Sequence, residues 1–175
     1  MILLRLPAAA LLAMSMASAA AQDRVHVAGD SGGRRVMTGR VLDYTGRALE
    51  FEHPGGRRET VPGEKVLRVE TSHVSSHREA DAAFAEDRFD QALALYERAI
   101  HEEPRVWVRR EIMARTVRCY RATGRIDLAG GAFLLLVESD PATPYFDCIP
   151  LAWVTEQPSP ALEQAARGWL SREQP

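Results

Sequence analysis

The chain contains no asparagine and only one lysine, Lys65, against 21 arginines among its 175 residues. A GC-rich coding sequence accounts for that bias. It excludes carboxylate clamps built from lysine and asparagine, so cationic chemistry here is guanidinium chemistry. Cysteine occurs only at positions 119 and 148. Two cysteines make no disulfide framework, and their spacing fits no zinc motif. Cys119 and Cys148 are either one candidate disulfide, in an oxidising compartment, or two small buried apolar residues. The formal net charge of −2 excludes a global field that would recruit nucleic acid. Aromatics make up 7%, and residues 22–71 hold no cluster of rings on which bases stack. Beyond the first segment no apolar run is long enough to cross a bilayer. No nucleophile stands beside a base and no ligand set is complete. The chain is therefore expected not to be an enzyme and to have no catalytic residue, no metal site and no cofactor.

What is present begins with a leader. Arg5 supplies a positive start, and Pro7 to Met16 is an apolar run of about 10 residues, the length of a signal-peptide core and too short to span a membrane. Ala17-Ser18-Ala19 and Ala19-Ala20-Ala21 offer small residues at the cleavage positions. Residues 1–21 are expected to be a signal peptide; the other reading of the same residues is an uncleaved anchor. No cysteine lies near the cleavage site, which argues against a lipid anchor. The mature chain is expected in the periplasm or secreted, with no transmembrane segment.

Residues 22–71 have the period of strands. Leu49 and Phe51 alternate with Glu50 and Glu52, and Leu67 and Val69 with Arg68 and Glu70, giving one dry face and one wet face. Thr45-Gly46 and Pro54-Gly55-Gly56 are turn signals, and Gly39 permits a bend inside the long run before Tyr44. The pattern predicts strands over Val25–Ala28, Arg35–Tyr44, Ala48–His53, Arg57–Val61 and Val66–Thr71. Five short strands in about 50 residues bury both faces most economically by closing into a small barrel, which also removes exposed edges. The layout resembles the Src-homology-type or Sm-like barrels.

From Ser75 the period becomes helical. Ser76 followed by Glu79 is a capping-box pattern. Phe89, Ala92, Leu93, Tyr96, Ala99 and Ile100 form one apolar stripe. Val108, Ile112, Cys119 and Tyr120 form a second, and Ala129, Ala132, Phe133 and Leu136 a third. Ser159-Pro160 opens a last helix, with Leu162, Ala165, Ala166 and Trp169 on its apolar face. Two segments repeat each other. Ala92, Tyr96, Ala99 and Pro104 have the same offsets as Ala129, Phe133, Leu136 and Pro141, about 37 residues later. The stretch Asp87 to Ile100 resembles the second half of a tetratricopeptide repeat, and Tyr120 and Gly124 match that family's first-helix tyrosine and turn glycine. In such a unit the small residue lets helices approach, the aromatic fills the space between hairpins, and the proline ends the helix. The period is a few residues longer than the family's usual 34, which predicts an insertion around Arg105-Val106-Trp107. Asp87 stands in place of the turn glycine. Gly130-Gly131 lies inside a helix, for which close helix contact is the expected reason.

The fold class is thus expected to be α+β: a five-stranded barrel over residues 22–71, then a tetratricopeptide-like array with a capping helix over 72–175. The resemblance implies that first helices line a ligand groove. Arg110, Arg118, Arg121 and Arg125 fall on one arc of their helix. By the resemblance, Arg118 and Arg121 would face the groove with His77 and Asp81, and Trp107 adds an anchor. Either this groove takes an acidic segment through bidentate guanidinium contacts, or the arginines are a solvated face paired with nearby glutamates. The chaperone-docking members of the family use lysines and asparagines, so that mode does not carry over. His73, His77 and Asp81 have i, i+4, i+8 spacing, but a helix beginning at Ser76 leaves His73 outside, so they read as a solvated helix start. Gly29-Asp30-Ser31-Gly32-Gly33 resembles the nucleophile motif of chymotrypsin-like proteases. That family's histidine and aspartate precede the serine, and only the leader precedes Ser31, so the segment reads as a flexible lead-in. The expected function is an exported, non-catalytic adaptor or scaffold that binds a protein or peptide partner, with no nucleic acid. The alternative is an accessory enzyme or metal-binding envelope protein.

Overall fold

The computed structural model describes residues 22–29, 32–150 and 160–171. The expected signal peptide, Asp30 with Ser31, and Ser159 as helix cap lie outside the described residues. Strands β1 (Asp23–Ala28), β2 (Arg34–Tyr44), β3 (Ala48–Glu52), β4 (Arg58–Pro62) and β5 (Val66–Glu70) fall close to where the alternation predicts them. Neighbouring strands are antiparallel in the order β4-β3-β2-β1-β5. Val25, Val27, Met37, Val41, Leu49, Phe51 and Val61 are buried on the inner face. The sheet bends at Gly39, where a Cβ would lie 2.3 Å from the Glu52 carbonyl oxygen and 2.8 Å from the Phe51 ring. Glycine alone lets the backbones cross this closely. Residues on the N-terminal side of the bend pair with β1, and those on the other side pair with β3. The Gly29–Gly33 segment is the β1–β2 connection rather than a lead-in, since the Gly29 N–H donates to the Gly33 carbonyl at 2.8 Å.

The expected barrel closure is absent among the described residues: β4 and β5 are the two edges of the sheet, with no ladder between them. The inner face is completed by helices instead. Its valines, Leu49 and Phe51 belong to one apolar cluster with Ala80, Ala83, Ala92, Tyr96, Ala99, Trp107, Val108 and Ile112. A sheet covered by helices buries its apolar face without curling shut.

The helices are α1 (Ser75–Ala85), α2 (Phe89–Glu102), α3 (Val106–Ala122), α4 (Ile126–Ser139) and α5 (Pro160–Leu170). The first four form two hairpins. α2 and α4 are both 14 residues long and occupy matching places in the repeat. Before each, one residue takes the left-handed conformation, Asp87 at φ 57° and Gly124 at φ 71°. Aspartate tolerates that region better than most side chains, so the departure from glycine leaves the turn intact. α3 has 17 residues against 11 in α1. The expected insertion is therefore helical: it extends the N-terminal end of α3 and carries Trp107, Arg110 and Glu111. The capping-box reading is corrected. Ser76 lies within α1, fully buried, and its hydroxyl donates to Glu102 of α2 at 2.6 Å; no side chain caps the helix.

The extension of α3 and the end of α4 dock on the sheet. Arg110 donates to Asp43 (3.0 Å) and to the Tyr44 carbonyl (3.1 Å) of β2, and to Ser139 (3.0 Å) of α4. The Gly46 N–H donates to Asp140 at 2.9 Å, and a Cβ at Gly46 would meet the Ala142 carbonyl oxygen at 1.5 Å. Arg105 donates to Glu103, Thr71 and the Ser72 carbonyl, which fastens the strand-to-helix link. At the other end a Cβ at Gly130 would lie 2.1 Å from the Trp169 ring, whereas one at Gly131 would meet nothing within 4 Å. Close helix contact thus explains the first glycine and not the second. Cys119 and Cys148 are free and buried, in separate apolar clusters. Burial pushes the Cys119 thiol up to about 11. No described helix is long and apolar enough to cross a membrane.

Candidate functional site

The facing sides of α1 and α3 carry a row of polar side chains beneath the sheet. α1 contributes His77 and Asp81 one turn apart, and the link before it contributes His73. α3 contributes Glu111, Arg115 and Arg118, spaced to share a face. The His73 and His77 rings stack, with centroids 3.9 Å apart. His73 Nε2 lies 3.6 Å from Glu111 Oε2, and His77 Nε2 lies 3.7 Å from Asp81 Oδ2. Asp81 Oδ1 accepts a hydrogen bond from the Tyr96 hydroxyl at 2.6 Å and lies 3.9 Å from Arg115 Nε. His77 is fully buried. Neither of its ring nitrogens has a hydrogen-bond partner, and neither has His73 Nε2 or Arg115 Nε. The expected solvated helix start is therefore a buried cluster. A helix beginning at Ser75 turns His77 inward, and the link folds His73 over it.

The electrostatics follow from this packing. Burial, and then the charge of His73, lower the His77 pKa against the opposing pull of Asp81 and Glu111. Burial alone would raise the Glu111 carboxyl, but His73, with the charges of His77 and Arg115, outweighs it and holds the group below the usual carboxylate range. Burial and the bond to Asp81 push the Tyr96 hydroxyl up. Glu111 also lines a cleft of about 430 Å³ between the sheet and the helices, with Tyr44, Val66, Val69, Trp107 and Tyr145 around it. A second concavity of about 400 Å³ lies between α2, α3 and α4, lined by Ile100, Met113, Tyr120, Leu128 and Leu135.

The seven residues expected to line a groove fall in three settings. Trp107 is 2% exposed and Arg110 8%; both sit where array meets sheet, Arg110 as a buried tie and Trp107 in the wall of the cleft beside Glu111. His77 and Asp81 belong to the polar row, with His77 buried. Arg118, Arg121 and Arg125 reach the surface. Arg118 Nη2 donates to both carboxylate oxygens of Asp147, at 3.0 and 2.7 Å, and Arg121 donates to the Asp147 carbonyl at 3.2 Å. Arg125 pairs with Asp90 at the start of α2. The single arc of four arginines is thus divided by what packs above it. Residue patterns passed over Glu111, Arg115 and the Tyr96 hydroxyl, and placed His73 beside His77 and Asp81 only as part of a solvated helix start. The signal was there for Glu111, Arg115 and Arg118, which stand at i, i+4 and i+7. The partnership between α1 and α3 was not readable along the chain.

Residues 83–147 match the family model of the tetratricopeptide repeat, from the end of α1 through α4 to the 3-10 turn Phe146–Cys148. The match leaves the sheet outside it. No curated protein and no solved structure matches the chain.

Proposed function

We propose that this is an exported, non-catalytic adaptor whose helical array holds an acidic segment of a partner protein at Arg118 and Arg121. A tetratricopeptide repeat points to a protein–protein interaction role, because stacked helical hairpins form extended binding surfaces. The observation that carries the acidic partner is the engagement of Asp147. Arg118 already holds a carboxylate of this chain with both oxygens, Arg121 reaches the backbone carbonyl of the same residue, and the Asp147 side chain is 67% exposed. An exposed ion pair is worth roughly 0–1 kcal/mol, so a partner carboxylate displaces Asp147 at little cost. Export rests on the leader at residues 1–21, and the non-catalytic role on the binding character of such arrays.

The test uses a fluorescent glutamate-rich peptide and three forms of the mature chain. The peptide is expected to bind the wild type, more weakly as salt rises. Arg118→Ala with Arg121→Ala should abolish binding and leave the thermal midpoint nearly unchanged. Asp147→Ala, which frees Arg118 of its internal carboxylate, should tighten binding. Undiminished binding by the double variant would sink the acidic-partner reading, and its unfolding would make these arginines structural. For export, replacing Leu11 and Leu12 with arginine is expected to leave precursor in the cytoplasm on fractionation. Normal extracytoplasmic accumulation of that variant would refute the leader.

A further inference from the structure

Four polar nitrogens without hydrogen-bond partners lie in one buried spot. In His77 both Nδ1 and Nε2 are unsatisfied, and with them stand His73 Nε2 and Arg115 Nε. Buried polar atoms are ordinarily paired, and each exception asks for a reason. The carboxylates beside them are at the wrong distance for a hydrogen bond. Separations of 3.6 Å from His73 to Glu111 and 3.7 Å from His77 to Asp81 exceed the usual range of about 2.7–3.2 Å. The 3.7 Å between His77 and Asp81 is close, however, to the separation of two ligands on one tetrahedral ion, since bonds of about 2.0–2.2 Å put ligand atoms about 3.3–3.6 Å apart.

We propose that His73, His77 and Asp81 form a binding site for a divalent transition ion of the zinc type, with Glu111 orienting His73. Each of the three offers a ligand atom, and these atoms lie within 4.8 Å of one another. The two rings stack with their planes 26° apart, so His73, on the irregular link, turns out of the stack to direct its lone pair at the same ion and close the widest pair to tetrahedral spacing. Two imidazoles and a carboxylate are the donor set that zinc and its neighbours accept, and the soft thiols play no part. Glu111 stands where a carboxylate commonly fixes the orientation of a ligating histidine. The Tyr96 hydroxyl holds Asp81 by its other oxygen, Oδ1, leaving Oδ2 turned toward His77. Arg115 is the opposing element, a positive charge 3.9 Å from Asp81 Oδ1. Its side chain is about one-third exposed and can swing outward when an ion arrives. His73, on the irregular link, is only partly covered and gives the route of entry. The ion would join the strand-to-helix link to α1, and so would brace the junction of sheet and array. This site is independent of the arginine site at Asp147.

The experiment titrates Co²⁺ and then Zn²⁺ into the chelator-treated mature chain. One equivalent of Co²⁺ is expected to develop the visible absorption bands of a tetrahedral site, and Zn²⁺ should remove them and raise the thermal midpoint. Asp81→Asn and His73→Ala should each lose these bands while remaining folded by circular dichroism. Glu111→Gln should weaken binding about 10–100-fold. Arg115→Gln, by removing the opposing charge, should tighten it. In the wild type, which needs no variant to fold, Zn²⁺ should shift the NMR ring signals of His73 and His77 and leave those of His26, His53 and His101 in place. Absence of stoichiometric binding overturns the proposal. So does binding retained by both Asp81→Asn and His73→Ala, or a Zn²⁺ response at other histidines alone.

Discussion

In the first hairpin Tyr96 is fully buried, and its hydroxyl donates to Asp81. At the matching place in the second hairpin Phe133 is 7% exposed, with the Phe146 ring centroid 6.2 Å away. Ala92 and Ala129, and Ala99 and Leu136, are buried alike. The repeat spacing thus sets how helices pack within a hairpin, while the neighbours decide how completely the aromatic is enclosed. The buried apolar residues of the first hairpin belong to the same cluster as those of the sheet, with Trp107, Val108 and Ile112 of α3 among them. The second has a smaller cluster of its own, covered by a 3-10 turn and by α5 rather than by a layer.

This difference should be measurable. Removing a buried aromatic ring costs about 3–5 kcal/mol, and the cost depends on how far the site can collapse. Tyr96→Ala is expected near the top of that range, because α1 and α3 enclose the ring and its hydroxyl bond to Asp81 is lost as well. Phe133→Ala should fall near the bottom, because the turn over it can settle inward. Urea unfolding of the two variants checks this, and equal losses would mean that the first hairpin holds its aromatic no more rigidly than the second. A smaller effect concerns the far end of the second hairpin. Gly130→Ala drives a methyl group into the Trp169 ring. It should destabilise by about 1–3 kcal/mol, less the gain in helix propensity, with a change in tryptophan fluorescence as α5 shifts. Gly131→Ala has open space around it and should stabilise by up to about 1 kcal/mol. Opposite signs at adjacent glycines would confirm that α5, and not the repeat itself, covers this hairpin; matching signs would break the comparison.

The sequence was most legible where a local rule operated. Alternation located all five strands, and the offsets among Ala92, Tyr96 and Ala99 and their second copies located both hairpins. It was less legible where the chain departed from its repeat. The insertion near Trp107 was visible as extra length, but not as a helical extension that carries the sheet contacts of Arg110 and the carboxylate of Glu111. Ser76 looked like a cap because its spacing to Glu79 fits one, while its hydroxyl found Glu102 on another helix. The arginines of α3 share an arc, and periodicity could not say which would lie under the sheet and which under Asp147.

By itself, then, the sequence determined the elements, their order, and the inner face of most of them, because these follow from interactions within a few residues or from the repeat's own periodicity; β5 departs, since Leu67 on its expected dry face is 52% exposed. The tertiary structure alone decided that the sheet stays open and that one apolar cluster runs from strands into helices. It alone decided that Glu111 meets His73 above the row of His77 and Asp81. Those outcomes depend on contacts between residues far apart in the chain. The open sheet is tied to the array through Arg110 of α3, and the stacked histidine pair exists only because the link after β5 folds back over α1. No local pattern encodes either condition.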